Sequence, residues 1–477
     1  MITVKLISKP SANIIKLISF AAKTCYNSAL PKWGKMINVK NDLFLTGHHT
    51  TFEHGAYSFA IEGIDIGSVT FGLHLTNPFY NSDQRSGRFC AKFFTDPNIP
   101  EIHRYIKKYW PNTTNEQSND ISLYLAKCFD AYEKNMPAAT ELAKKFIKEE
   151  RPNAGGKYAE KNSAKFAQEQ LRNFTPIISP TALLFSADLI TIASLYEEAW
   201  SPVLREVLEK MADEIKKKSL FGKIGLLFNA VLNKILPDKV KKTQTIDFVF
   251  NQDRQRKTDW SPIISEKKSE VLFKPRLKIL NVFNQDGFVS PTHSDMHPVD
   301  RLQFMPEMMN DKIGRVTSLV EVSCATYGQD QRHRTIERGT PILTGNFYLP
   351  PLAAELHLEN LALDIINSWK QIAEKVPGTL AAVLAPYGAT VEYQKSANFL
   401  ALAHEQAKRE CFCTQEEIFH LNRLEKLAME ELFNITPLSK LFEPICYDSG
   451  ICGEGLRYCG RDIKLRNTGD YFPERKI

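Results

Sequence analysis

At residue 276 the chain begins again. "RLKILNV" (276–282) repeats the short alternation of "ITVKLIS" (2–8), and both runs predict β-strands. Each is followed by a histidine-bearing segment, "GHHTTFEHG" at 47–55 and "THSDMHP" at 292–298. Each half then has a polar or cationic motif and, later, a proline-containing stretch leading into a helical pattern. Those stretches are "EQLRNFTPIISPTALLFSADLITIASLYEEA" (169–199) and "AAVLAPYGATVEYQKSANFLALAHEQAKRE" (381–410). A chain that restarts in this way is built from two related units, and unequal motif spacing makes the repeat a diverged one. Its 477 residues are in any case too many for one ordinary domain.

The expected division is a first domain over 1–215, a basic linker or helix over 216–270 and a second domain over 271–477. The middle segment spaces apolar residues helically among lysines, which predicts a surface helix and a solvated linker. A content of 43% hydrophobic and 24% charged residues is that of a soluble globular protein. The net charge of +6 suits an anionic small ligand as well as nucleic acid, so it decides nothing. No nucleic-acid partner is expected. "MITVKLISKP" lacks the apolar run of a signal peptide, and no uninterrupted apolar stretch is long enough for a membrane span. Nine cysteines, an odd number scattered along the chain, predict reduced thiols and a cytoplasmic protein. Five of them, Cys411, Cys413, Cys446, Cys452 and Cys459, crowd the C-terminal end. Their spacing fits no zinc pattern, so they are expected to be buried, unrelated thiols, with no metal.

Two stretches carry candidate chemistry. In "NSDQRSGRF" (81–89), Gly87 allows the backbone a close approach, Ser86 offers a hydroxyl, and Arg85 and Arg88 offer planar cations. This pattern suits a phosphate or carboxylate. In "QRHRTIERG" (331–339), Arg332, His333 and Arg334 stand in a row directly after the largely apolar "VTSLVEVSCATYG". Adjacent positive charges repel one another unless an anion sits among them.

These residues resemble the flavin-dependent thymidylate synthase family (ThyX), whose signature is Arg-His-Arg, seven residues, Ser, any residue, Arg. The first half is similar in "HHTTFEHGAYSFAIEG" and in Ser86-Gly87-Arg88, and "AAKTCYNS" (21–28) is similar to the family's N-terminal region. It has Thr76-Asn77-Pro78 where the family has Arg-His-Arg. The second half keeps Arg332-His333-Arg334, preceded by Gln329, but has Ile342 and Thr344 at the positions of the signature's Ser and last Arg. A nucleotide-contacting Arg before a Pro is kept as Arg172 before Pro176, whereas the second half has Ala382 before Pro386. The flavin-contacting positions of the following helix match at Asn398 and His404 and depart at Leu400; the first half has Asp188, Ile190 and Ser194 there. A further nucleotide-contacting Arg corresponds to Arg409, and to Ala199 in the first half.

What the resemblance implies is a tandem, α+β protein: two ThyX-like domains, each an antiparallel-rich sheet packed with helices. Its active sites would be composite, and two chains would mimic the family's tetramer as a homodimer. The implied reaction converts dUMP to dTMP, with FAD as cofactor and with NADPH and methylenetetrahydrofolate as co-substrates. By the same resemblance, Ser86, Arg88 and Arg332 are catalytic candidates. Thr50, Arg332, His333, Arg334, Asn398 and His404 would hold FAD. Gln84, Arg85, Ser86, Gly87, Arg88, Arg172, Gln329 and Arg409 would hold dUMP, and His48, with its neighbour His49, would line the folate pocket. Sites shared between different chains are expected by analogy with the family. The rival expectation is a catalytically inactive nucleotide- or flavin-binding protein, or a scaffold.

Overall fold

The computed structural model describes residues 1–75, 79–87, 90, 97–218, 245–262, 268–289, 314–436, 438, 440–455, 458–461 and 475–477. The strands are β1 (Thr3–Ser8), β2 (Ala56–Asp65), β3 (Tyr80–Gln84), β4 (Pro180–Asp188), β5 (Arg276–Phe283), β6 (Arg315–Ser323), β7 (Ile342–Tyr348) and β8 (Ala389–Asn398). The principal helices are α1 (Ile14–Tyr26), α2 (Asn115–Glu150), α3 (Tyr158–Leu171), α4 (Leu189–Glu197), α5 (Pro202–Lys218), α6 (Cys324–Asp330), α7 (Glu359–Ala373), α8 (Gly378–Leu384), α9 (Phe399–Arg409) and α10 (Glu416–Phe433). The architecture is α+β, with helices packed on sheets.

The chain forms two compact units that are not consecutive in sequence. One comprises Met1–Arg85, Lys107–Pro111 and Pro180–Ser261; the other comprises Ser86–Ile106, Asn112–Ser179 and Pro262–Ile477. The first unit holds a sheet of order β1-β2-β4-β3, and the second a sheet of order β5-β6-β8-β7 with the short strand Val271–Leu272 beyond β7. Numbered within its own sheet, each therefore runs first, second, fourth, third. All pairings among these eight strands are antiparallel.

In the first unit, alternation decides the strands. Tyr57, Phe59 and Ile61 of β2 and Leu183, Phe185 and Ala187 of β4 point into the core. The proline stretch at 169–199 thus leads into a strand before its helix, because the "TALLFSAD" alternation outlasts the turn. Asp188 then caps α4, its Oδ1 accepting from the Thr191 N–H at 2.8 Å. Residues 245–261 are anchored and not a solvated linker. Phe248 packs on Phe44 (5.4 Å), Phe250 on Tyr196 (5.5 Å) and Trp260 on Trp200 (5.7 Å). Arg254 pairs with Glu197 at 2.7 Å. The helix expected from 216 onwards lies mostly outside the described residues.

The second unit packs first-half helices against second-half elements. A capping box of Thr114 and Gln117 starts α2. The Tyr124 hydroxyl of α2 donates to the Leu384 carbonyl at the end of α8 (2.8 Å), and Lys127 pairs with Asp364 of α7 (2.8 Å). Beyond α3 the chain makes one turn at Arg172–Phe174 and then crosses the segment before β8. There Pro176 bridges Pro386 in antiparallel fashion. Ile177 N–H donates to Ala385 O (2.9 Å) and Tyr387 N–H to Thr175 O (2.8 Å), with Gly388 N–H to Asn173 O (2.7 Å) continuing the ladder.

Helix α10 enters this unit by a buried polar end. Gln415, Glu416 and Glu417 are each at most 1% exposed. Glu417 accepts from the Ser323 N–H (2.7 Å), from the Ser323 hydroxyl and from the Thr326 hydroxyl (2.6 Å), tying α10 to the junction of β6 and α6. Burial nevertheless pushes its carboxyl up to about 7. An unfolded Glu titrates near 4.3, so between the two values the folded protein holds a proton the unfolded chain has released. The stability from this group is full below the lower value and is lost as pH rises through the higher one. The advantage of wild type over Glu417→Gln should therefore shrink from about pH 4.5 to 7.5, by at most about 1.4 kcal/mol per unit. Urea unfolding of both proteins across that range measures it, and an advantage growing with pH would refute the assignment.

Candidate functional site

In the second unit, β6 runs directly into α6, with Ser323 as N-cap accepting from the Thr326 N–H (3.1 Å). The cationic triplet follows as a turn. Arg332 is exposed, His333 is buried at 8% exposure and Arg334 is half-buried. The His333 ring lies 5.7 Å from that of His404 on α9, tilted by 60°. Burial, followed by the Arg409, Arg338 and His404 charges, holds His333 well below the ordinary histidine range. It is a neutral imidazole at pH 7, and its buried Nδ1 has no hydrogen-bond partner among the described residues.

Beneath the triplet lies an ion network that the sequence did not announce. Arg338 reaches Asp330 (2.5 Å) and Glu405 (3.5 Å) and donates to the carbonyls of His333 (2.8 Å) and Ile336 (3.1 Å). Lys395 pairs with Glu405 and with Glu425 (3.0 Å), and the Tyr393 hydroxyl donates to Asp330 (2.8 Å). Against its burial, the Arg338 and Lys395 cations hold Asp330 well below the usual carboxylate range, whereas burial raises Glu405 to about 8. A proton kept on Glu405 leaves two cations facing two carboxylates, a neutral set in a medium that tolerates no net charge. The network fixes the backbone at and just after the triplet through the His333 and Ile336 carbonyls that Arg338 holds.

Arg172, from the first half of the sequence, meets second-half residues inside this one unit. Its guanidinium lies 5.2 Å from the Tyr387 ring centroid, its Nε donates to Glu169 O (3.2 Å) and its Nη2 donates to Gln415 Oε1 (3.4 Å). Gln415 Oε1 also accepts from Gln329 Nε2, and the Gln329 carbonyl accepts from Arg409 Nη2 (2.7 Å). Arg172, Gln329 and Arg409 are thus joined through Gln415, with no second chain required. Burial, opposed by Glu405 and Asp330 and assisted by Arg332 and Arg338, lowers Arg409 to about 10, which leaves it charged.

The other expected residues divide between the units. Ser86 and Gly87 belong to the second unit, where Gln168 Nε2 of α3 donates to Gly87 O (2.7 Å). Gln84 and Arg85 belong to the first: Gln84 contacts Thr181 (3.5 Å) and Arg85 reaches Glu62 at the surface (3.6 Å). Thr50 and His48 are exposed in the first unit, and His49 there contacts Phe44 O (3.0 Å). Arg88 and Thr76-Asn77-Pro78, like "THSDMHP", lie outside the described residues. Asn398 caps α9 through the Ala401 N–H (2.9 Å), the task Asp188 performs on α4, so its side-chain oxygen has a structural use. Leu400 is buried in an apolar cluster with Val316, Ile336 and Met429. Ile342 and Thr344 form part of β7, and Thr344 is tied to Glu321 (3.0 Å), so this position is a sheet strand and no anion loop.

Gln415 and Tyr387 were missed in the sequence. "QEE" before an amphipathic run reads as an exposed, acidic helix start, and only tertiary contacts bury it. Tyr387 adjoins the proline already singled out, which was the available signal. Among the described residues no helix is long and apolar enough to cross a membrane, and no group of three or more His, Cys, Asp or Glu side chains could hold a metal ion.

Residues 5–218 match the profile of the family described as "Thymidylate synthase complementing protein". No curated protein matches the chain. Two solved structures of ThyX from Helicobacter pylori, both with FAD and dUMP, are similar at 15% identity and a TM-score of 0.30. One aligns over 51% of this chain and 100% of its own, the other over 46% and 97%. The profile match covers less than half of the chain and lies within its first half.

Proposed function

We propose that the chain is a tandem-duplicated, flavin-dependent thymidylate synthase whose working site is composed from both halves of one chain. The observation that carries this reading is the joining of Arg172 to Gln329 and Arg409 through Gln415. Two arginines and a carboxamide brought together in this way suit a nucleotide phosphate and its base. The shared strand order of the two sheets supports the duplication.

Arg172 and Arg409 would bind the dUMP phosphate, and Gln329 would orient the base. Ser86 and Gly87 would add a hydroxyl and a backbone approach, with Arg88 as a further cation. The residues fit FAD in part. His333 presents an unpartnered buried nitrogen and Arg332 an exposed cation, whereas Leu400 offers an anion nothing. Arg332, His333, Arg334 and His404 would hold the cofactor, with Asn398 positioning the helix that carries His404. FAD, when bound and recharged by NADPH, supplies hydride chemistry, and methylenetetrahydrofolate supplies the carbon. The protein's part is position and charge. A neutral His333 can donate or accept one hydrogen bond without adding to the crowded positive charge.

Three measurements test this. Arg172→Ala should weaken dUMP binding by about 1.5–3 kcal/mol, or about 10- to 150-fold, while FAD affinity stays at the wild-type value. Unchanged dUMP affinity by calorimetry would remove the assignment. Only one half carries the cationic triplet, so absorbance and amino-acid analysis should give one FAD per chain, and two would contradict the reading. Co-expressed Arg172→Ala and Arg409→Ala chains should stay as inactive as either alone, because every intra-chain site keeps one defect. Partial recovery of dTMP formation would mean instead that the sites form between chains.

A further inference from the structure

The turn between α9 and α10 carries two thiols around a concentration of positive charge. It closes with the Thr414 N–H donating to Cys411 O (3.0 Å), and the Thr414 hydroxyl donates to the carbonyls of Cys411 (2.7 Å) and Arg409 (2.9 Å). Cys411 and Cys413 stand two residues apart in it, and both are partly exposed. Phe412, between them, is surrounded by three arginines. Arg461, Arg475 and Arg151 lie 4.2, 4.7 and 5.8 Å from its ring centroid. All three are more than nine-tenths buried. Arg151 and Arg475 donate to the Phe412 carbonyl (2.8 and 3.1 Å), and Arg475 donates also to that of Thr414 (2.5 Å). Nη1 of Arg475 and Nε of Arg151 are buried without a hydrogen-bond partner among the described residues.

A thiol in an electropositive, partly exposed setting, with a second thiol in reach, is the physical description of a redox-reactive cysteine. We propose that Cys411 is a covalent modification site for small-molecule disulfides, with Cys413 as its resolving partner. The Cys411 thiolate attacks one sulfur of the disulfide, whose S–S bond breaks, and the released thiolate takes up the proton that Cys411 gave to solvent. Cys413 loses its proton and displaces the second thiolate, forming the Cys411–Cys413 bond. Two protein thiols are oxidised and one small disulfide is reduced to two thiols, so no other reactant is needed.

The order of attack follows from the charges. The neighbouring Cys413 thiol, with Arg475 assisting, outweighs burial and the Glu454 carboxylate and lowers Cys411 to about 6. The neighbouring Cys411 and burial push Cys413 upward. Residues two apart in a tight turn satisfy the Cα separation a disulfide requires, and the small ring makes the bond readily reversible.

Exposed Cys25 serves as the internal control. Native protein treated with limiting iodoacetamide at about pH 7, digested and analysed by mass spectrometry, should show Cys411 alkylated about tenfold faster than Cys25. Glutathione disulfide should give a Cys411–Cys413 disulfide in wild type, and in Cys413→Ser a stable glutathione adduct on Cys411. Faster labelling of Cys25, or an adduct in Cys413→Ser that settles anywhere but Cys411, would overturn the proposal. A thermal melt of the variant, matching wild type, keeps misfolding out of the comparison.

Discussion

The candidate site depends on the place where two prolines cross. Neither Pro176 nor Pro386 has an N–H to give, so the bonds that hold the crossing come from the residues on either side. Ile177 donates to the residue before Pro386, and Tyr387 donates to the residue before Pro176. The arrangement is reciprocal, as it would be at a two-fold axis relating two copies of one motif. It also sets Arg172 beside Tyr387, since each lies within a few residues of its proline. Every further contact of the site, through Gln415 to Gln329 and Arg409, starts from that placement.

Around this crossing the second unit buries many polar groups. Several of the charged ones are accommodated either by a charge partner or by staying neutral. Asp330 remains ionised between cations, Glu405 and Glu417 keep protons, and His333 gives one up. Removing one member of such a set leaves another buried charge uncompensated, which costs far more than an exposed pair. The result is a rigid floor beneath a turn whose outermost side chain, Arg332, faces solvent.

The sheets were the legible part of this chain. "ITVKLIS" and "RLKILNV" form strands because alternation is a local property, and β1 and β5 lie where it placed them. The strand between each proline and its helix was lost in the sequence because the following helical pattern is the stronger signal. The grouping of α2 and α3 with residues from beyond 262 was not legible, since nothing local marks which unit an amphipathic helix will join. At the site, the cationic triplet and Arg172 could be picked out as unusual residues. Gln415 and the Asp330–Arg338–Glu405–Lys395 set could not, because ordinary surface residue types become special only when buried. The C-terminal thiols, expected to be buried, include two on one turn that are partly exposed, which spacing alone does not reveal.

The interleaving of the two units fixes an order of events during synthesis. Helices α2 and α3 leave the ribosome long before α8 and β8, against which their side chains and the Arg172 turn must pack. At about 5–20 residues per second, that wait lasts roughly 10–45 s. Throughout it, the two helices can cover one another, but the faces that meet second-half elements stay open. The first unit is in the same position from the other side, since its sheet lacks β4 until the helices have been made. The first unit can close only once residue 261 has been made and the second only once the rest of the chain has, so for much of its synthesis this protein is a partly open intermediate whose protection falls to chaperones or to speed.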